Sequence, residues 1–365
     1  MSTGTSHLSE DDLYRASSQF RFWSFAPEQL AARRHETHAL AIQRARQYDP
    51  NGAEDSYLTA EEELKLVESY VDIIRKTTTH IRWPVNIKTT AIQYLKRFYL
   101  SNSCMTYPPK EIYKTVMFLA SKTEAFHITL SKFCGQISAV REAVLAPEYK
   151  VMQALRFTLD VRQPFRGLKG TLMELLNMVD DNIQGLKALK EPGGGSAWRT
   201  PGDGRAVEKK HIVDRINQAY HVARNTLDTP ASTTDVYFLY TPSQILLAAL
   251  QLADEPLLHF YLDSKLPTDA QMRPRILSTI QECADMMGAF RPENIITKDV
   301  RIALEAKLEA CRDPSTKDLI KSHAAMKRSG AEDGDSQDEA KKRKMEKHKN
   351  AREADDMFGP AIGKG

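Results

Sequence analysis

The chain has 365 residues, 41% of them hydrophobic, and its 51 Lys and Arg nearly balance 48 Asp and Glu, leaving a formal net charge of +3. The apolar share suffices for two ordinary domains with tails, and the charge is too small to demand a nucleic-acid partner. Four scattered cysteines without a CxxC pair, and no apolar leader or long uncapped apolar run, argue against disulfide, metal, secreted and membrane classes and for a soluble intracellular protein.

Residues 1–18 are polar and acidic, and are expected to be disordered. Residues 19–58 hold a flanking helix and a linker. Phe20, Phe22, Trp23 and Phe25 are too many aromatics to leave in water, and Pro27 opens the strongly basic helix that follows them. A first module is predicted over 59–160. Thr59 to Glu62 forms a capping box, after which Leu64, Val67, Val71 and Ile74 recur at helical spacing. Pro84 starts a second helix through Ala91, Leu95 and Phe98, Pro109 a third, Thr129 a fourth, and Pro147 a fifth ending near Phe157. Phe98, Tyr99 and Phe118 are expected in the core.

Residues 160–165 read as an extended linker, because the residue before Pro164 is pushed out of helical geometry. A second module covers 161–292. It has a first helix over 168–179, a flexible insertion at 190–205, a long helix from Val207 to Leu227, a second capping box at Thr241 to Gln244, and a last helix from Ala270 to Phe290. C-terminal helices occupy 293–328, and 329–365 is a charged tail too poor in apolar residues to bury a core. The segments PPKEIYKTVMFLASK and YTPSQILLAALQLADE share a phase. Pro109 and Pro242 are each followed three residues on by Ile112 and Ile245, and later by Leu119-Ala120 and Leu252-Ala253. One helical module used twice is the reading, so the fold class is all-α, two tandem five-helix bundles with flanking helices.

No catalytic motif emerges. Phosphate-loop and dinucleotide glycine patterns are missing, and the glycines at 193–195 lie in the polar insertion rather than after a strand. His35 and His38 fall one residue short of the HExxH metal spacing and have no third ligand. Neither a metal nor a cofactor is expected, and an enzyme is the weaker reading.

YLKRFYLSNS followed by PPKEIYKTVMFLASKTEAF resembles a first cyclin box, and LYTPSQILLAAL resembles the third helix of a second. FRFWSFAPEQLAARR, KLEACRD and a late KKRK resemble the flanking helices and tail of the H-type cyclins or their fungal counterparts. The resemblance covers roughly residues 18 to 325 by ordered motifs. It implies a non-catalytic regulatory subunit that binds and activates a cyclin-dependent kinase in the CDK-activating kinase module of transcription factor IIH. A RING-bearing assembly factor and the transcription factor IIH core are the further implied partners. Implied substrates are the C-terminal repeats of RNA polymerase II and other cyclin-dependent kinases, in the nucleus, with no membrane or direct nucleic-acid contact.

In that family a Lys ending the third helix and a Glu starting the fifth clamp the kinase beside its mobile helix; Lys122 and Glu148 match them. Leu119, Thr123, Met152 and Leu159 match the family's apolar seat. Lys341, Lys342, Arg343 and Lys344 are a candidate nuclear-import cluster. There are departures from the pattern. Glu124 is followed by Ala125 rather than a second acid, helix one lacks the Arg-Trp substrate-docking pattern, and no RxxL precedes residue 60. These suit a transcription-linked cyclin rather than a mitotic one. The alternatives are a C- or K-type transcription cyclin, and a nucleic-acid binder similar to transcription factor IIB, using the basic N-terminal helix and Lys209-Lys210-His211.

Overall fold

The computed structural model describes residues 10–48, 53–193, 198–200 and 207–321, and every regular element among them is helical. In chain order these are α1 (Glu10–Ala16), α2 (Ser18–Trp23), α3 (Pro27–Tyr48), α4 (Ala60–His80), α5 (Val85–Phe98), α6 (Pro109–Thr123), α7 (Leu130–Ile137), α8 (Arg141–Leu145) and α9 (Glu148–Ala154). The second half holds α10 (Phe165–Asp181), α11 (Ile183–Lys187), α12 (Lys209–Thr226), α13 (Val236–Leu239), α14 (Pro242–Ala253), α15 (Glu255–Lys265), α16 (Arg273–Gly288) and α17 (Lys298–Cys311). One compact unit runs through Lys317; the described start of a second, 318–321, carries an ion pair between Lys321 and Asp318.

The first bundle is built around α5, whose residues from Ile87 to Phe98 are all buried. Such a helix is apolar all round or has most of its polar groups answered. Three of its polar side chains reach the second half of the chain. Lys88 Nζ reaches Asp228 at 2.7 Å, and Gln93 Nε2 donates to the Ser232 carbonyl at 3.3 Å. Lys96 Nζ donates to the Thr233 carbonyl at 3.0 Å and lies 3.3 Å from Asp235. In the second bundle α14 is the central helix, and its Ala248, Ala249 and Ala253 let neighbours approach closely. Gly167 serves the same end, since a Cβ there would lie 2.6 Å from Leu246 Cδ2. Both capping boxes form, Thr59 with Glu62 and Thr241 with Gln244.

Asp235 ties three parts of the chain together. Both its oxygens accept from Arg34 of α3, at 2.7 and 2.8 Å, and Lys96 of α5 stands beside it. Burial opposes the carboxylate, but Lys96 and Arg34 outweigh it and bring its pKa from 3.8 to about 2. A depressed carboxylate stabilises the fold above its unfolded pKa and loses that contribution as pH falls through the folded one. With the side chain 28% exposed, the contribution is about 2 kcal/mol. Asp235→Asn is therefore expected to lower the urea midpoint near neutral pH, with the gap to wild type closing between about pH 4 and pH 2. A gap independent of pH would contradict this role for the carboxylate.

The structure departs from the sequence reading at several places. α1 lies inside the segment expected to be disordered, held where Tyr14 packs edge-on against Phe20 at 5.6 Å. On α4 it is Leu66, not Leu64, that is buried with Val67, Val71 and Ile74. The short helices α8 and α13 and the π-turn at Leu227–Ala231 were not anticipated, since elements of four or five residues carry no periodicity. The insertion is not wholly free. Trp198 is buried and takes the Arg215 guanidinium over its ring at 4.8 Å. His38 Nδ1 meets Glu63 Oε1 at 2.6 Å, whereas His35 is exposed. The cluster Lys341 to Lys344 lies outside the described residues.

Candidate functional site

The sequence-predicted kinase-facing residues fall on the last turns of α6, on α9 and in the irregular segment after α9. α6 stops because Ala125 adopts a left-handed conformation (φ 53°) and the Phe126 N–H returns to the Ser121 carbonyl at 2.8 Å. That closure leaves Lys122 on the last turn, 44% exposed, where it forms an ion pair with Glu148 in the first turn of α9. Glu148 is only 18% exposed, and the Lys122 ammonium also lies 4.7 Å from the Phe118 ring centre. Each charge suits its helix end, a cation at the C-terminus of α6 and an anion at the N-terminus of α9.

α9 ends in two successive left-handed residues, Arg156 (φ 53°) and Phe157 (φ 54°). Neither is glycine, so the pair costs roughly 1–2 kcal/mol per residue. It is held by the Phe157 N–H on the Met152 carbonyl and the Arg156 N–H on Gln153, both at 2.9 Å. The outcome is an outward Phe157, 61% exposed, touching the ring of Tyr149, itself 52% exposed, at 6.3 Å. Tyr94 stitches the two halves of the site. Its hydroxyl donates to the Leu159 carbonyl at 2.5 Å and lies 3.0 Å from Thr123 Oγ1. Burial pushes that phenol up to about 12 despite the nearby Thr123 and Arg97, so it stays a donor.

The structure thus brings Lys122 and Glu148 into direct contact, and Thr123 and Leu159 together through Tyr94. Met152 lies one turn beyond Glu148 and is half-buried against the core, as is Leu159. Leu119 is different. At 4% exposure it belongs to the core and can only support the surface from below. Tyr149 and Phe157 were missed by sequence reasoning, which took Phe157 as a helix end. An unmatched aromatic beside a predicted helix terminus was the available signal.

The N-terminal helices position this segment. Trp23 Nε1 donates to Thr158 Oγ1 at 2.9 Å, and Gln19 Oε1 accepts from the Arg162 N–H at 2.6 Å and from Arg97 at 3.2 Å. Arg97 in turn donates to the Asp160 carbonyl at 3.1 Å. Being buried, its guanidinium is brought down to about 10 and remains charged. The indole bond is worth about 1 kcal/mol. Trp23→Phe is therefore expected to leave the helical content intact while speeding tryptic cleavage after Arg156 several-fold. Unchanged cleavage would remove α2 from the support of the site.

Comparison with known proteins gives this geometry a family. Residues 38–160 match the family described as "Cyclin, N-terminal domain" and 163–288 the "Cyclin C-terminal domain". A chain in the solved structure of the CAK complex from Chaetomium thermophilum bound to ATP-gamma-S is 34% identical, with a TM-score of 0.74 over 89% of this chain and 97% of that one. This chain belongs to the cyclin family. Within the cyclins its likeness is to the H type and its fungal counterparts. Cyclin CCL1 of Saccharomyces cerevisiae is 31% identical over 276 residues, 72% of this chain, and the match spans only 63% of that relative's length. Cyclin mcs2 of Schizosaccharomyces pombe is 29% identical over 73% of this chain and 77% of its own. A chain of the yeast TFIIK (Kin28/Ccl1/Tfb3) complex is 30% identical, with a TM-score of 0.58 over 75% of this chain and 100% of that one. The two tandem bundles are the two cyclin boxes, all-α throughout the described residues.

Proposed function

We propose that this cyclin binds and activates a cyclin-dependent kinase through the face at the ends of α6 and α9, as the regulatory subunit of the CDK-activating kinase module of transcription factor IIH. The observation that carries it is the paired Lys122 and Glu148 beside two outward aromatics, on a member of the family whose relatives sit in CAK and TFIIK complexes. The cyclin supplies no catalytic group. Seating the kinase's mobile helix favours the state in which that helix's Glu pairs with the catalytic Lys.

Magnitudes set the requirement. Moving a kinase from almost wholly inactive to almost wholly active takes about 5.5 kcal/mol of differential affinity. Covering the exposed parts of Tyr149 and Phe157 stabilises by roughly 2–3 kcal/mol. The remainder falls to charge-assisted bonds from Lys122 and Glu148 to backbone groups of the kinase, at about 1.5–3 kcal/mol each. Together the two kinds of contact reach the requirement.

The RING-bearing assembly factor and the transcription factor IIH core are the further partners in this reading. Nuclear work on the RNA polymerase II C-terminal repeats and other cyclin-dependent kinases follows from it, with Lys341 to Lys344 as the import address. The test is affinity capture of the full chain from nuclear extract, with identification of the bound kinase and assay of the captured complex on a C-terminal-repeat peptide. Capture of a kinase of another transcription class, or of nucleic acid with strong salt dependence, would replace this reading.

A further inference from the structure

Thr precedes Pro at Thr200-Pro201, Thr229-Pro230 and Thr241-Pro242, and Ser nowhere does. A proline-directed Ser/Thr kinase takes its target as an accessible, extended stretch. The Pro suits that use, since it donates no N–H and biases the residue before it toward extended backbone. Two of the three pairs are unavailable. Thr229 is half-buried inside the π-turn at Leu227–Ala231. Thr241, also half-buried, caps α14, its hydroxyl oxygen accepting from the Gln244 N–H at 3.3 Å. Thr200 is exposed, lies in no regular element, and belongs to the insertion rather than to either bundle.

The Thr200 hydroxyl is engaged in a contact that a phosphate would undo. It donates to Glu191 Oε1, which also accepts from the Thr200 N–H at 2.9 Å. These bonds hold the Glu191 carboxyl below its ordinary value, so it is charged at neutral pH. Together they form a latch at the foot of the insertion. Directly inside it, Arg215 donates to the Lys190 carbonyl at 2.8 Å and covers the buried Trp198. Arg199 donates to the Trp198 carbonyl at 2.7 Å. A phosphate on Thr200 removes the hydroxyl donor and sets a charge of about −1.5 to −2 against the Glu191 carboxylate. It also competes for Arg199, and both effects loosen the seat of Trp198.

We propose that Thr200 is a phosphorylation site for a proline-directed kinase, and that its modification opens the Glu191–Thr200 latch and releases the insertion from the second box. In the transfer, Thr200 Oγ1 attacks the γ-phosphorus of ATP and the bond to the β–γ bridging oxygen breaks. ADP leaves, and the hydroxyl proton passes to the catalytic-loop Asp of the kinase. The switch shares no residue with the α6–α9 face and does not rest on the function proposed for it.

The test incubates the full chain with ATP and a stoichiometric amount of a purified mitogen-activated protein kinase, followed by mass spectrometry and hydrogen exchange. Phosphate is expected on Thr200 and not on Thr229 or Thr241, with amide exchange across residues 198–200 speeding at least tenfold. Thr200→Glu, made without any kinase, is expected to speed that exchange several-fold more than Thr200→Gln. Adding Glu191→Lys to Thr200→Glu is expected to return it to the wild-type rate, because opposite charges close the latch again. Absence of phosphate from Thr200 of the folded chain, equal modification of Thr229 or Thr241, unchanged exchange in the phosphorylated chain, or no rescue by Glu191→Lys would each overturn it.

Discussion

Exchanging the two charges, Lys122→Glu with Glu148→Lys, will abolish co-purification of the cyclin-dependent kinase while the isolated chain keeps its helical signature and its thermal midpoint to within a few degrees. The doubly exchanged chain still places opposite charges opposite each other, so the intramolecular pair of wild type is retained with its polarity reversed. Lys122 is nearly half exposed, and a pair of that kind is worth about 0–1 kcal/mol to the fold. The reversal also turns both charges against their helix ends, which costs roughly 0.3–1 kcal/mol apiece and accounts for the small shift in midpoint. Toward a partner the consequence is much larger. A Lys offers only donors and a carboxylate only acceptors, so exchange faces each kinase backbone group with the wrong partner. Two lost charge-assisted bonds, with their desolvation unrecovered, amount to about 3–6 kcal/mol, or more than a hundredfold in affinity. Single variants are expected to fall in between. Undiminished capture by the doubly exchanged chain would mean that the pair serves the fold alone.

How legible this site was depends on which residues carry it. Lys122 and Glu148 stood out because helix punctuation is local. Pro109 and Pro147 marked where α6 and α9 begin, and the likeness to a cyclin box then pointed to Lys122 and Glu148 at their ends. Leu119 was assigned to the same surface by its match to the family's apolar seat, yet a matched position cannot tell a residue on the rim of a groove from one beneath it, and it lies in the core. Phe157 was hidden for a different reason. Its outward position comes from two left-handed residues in succession, a conformation that non-glycine residues adopt only where tertiary contacts impose it. Arg156 lies over the rings of Phe22 and Trp23, and Trp23, Gln19 and Arg97 hold Thr158, Arg162 and Asp160 just beyond the pair, all from far away in sequence. The same limit applies between the boxes. Nothing in the sequence sets Lys88, Gln93 and Lys96 apart from solvent-facing polar residues, and only the packed structure shows them turned inward onto residues 228–235.

Removing Asp254 is expected to be the most destabilising single substitution in the second box. Arg215 and Asp254 are 2% and 1% exposed and paired in a fork, at 2.6 Å from Nε and 2.8 Å from Nη2. The carboxylate also caps α15 by accepting from the Leu257 N–H at 3.0 Å, and the guanidinium donates to the Lys190 carbonyl at 2.8 Å while covering Trp198. This one pair therefore fixes the start of α15, the end of the segment after α11, and the described part of the insertion. Asp254→Ala leaves a buried cation without its partner and an uncapped helix, a loss of about 3–5 kcal/mol measurable by urea unfolding. Arg215→Met leaves the carboxylate with the Leu257 N–H, so its loss is expected at the lower end of that range. The double variant Arg215→Met with Asp254→Leu removes both charges and fills the space with apolar side chains. It is expected to recover a large part of the loss, because desolvating an ion pair consumes most of the attraction it returns. Trp198 fluorescence separates the two roles of Arg215. Its emission will shift to the red in Arg215→Met as the ring loses its cover, and a native spectrum there would show that the insertion is anchored by other contacts.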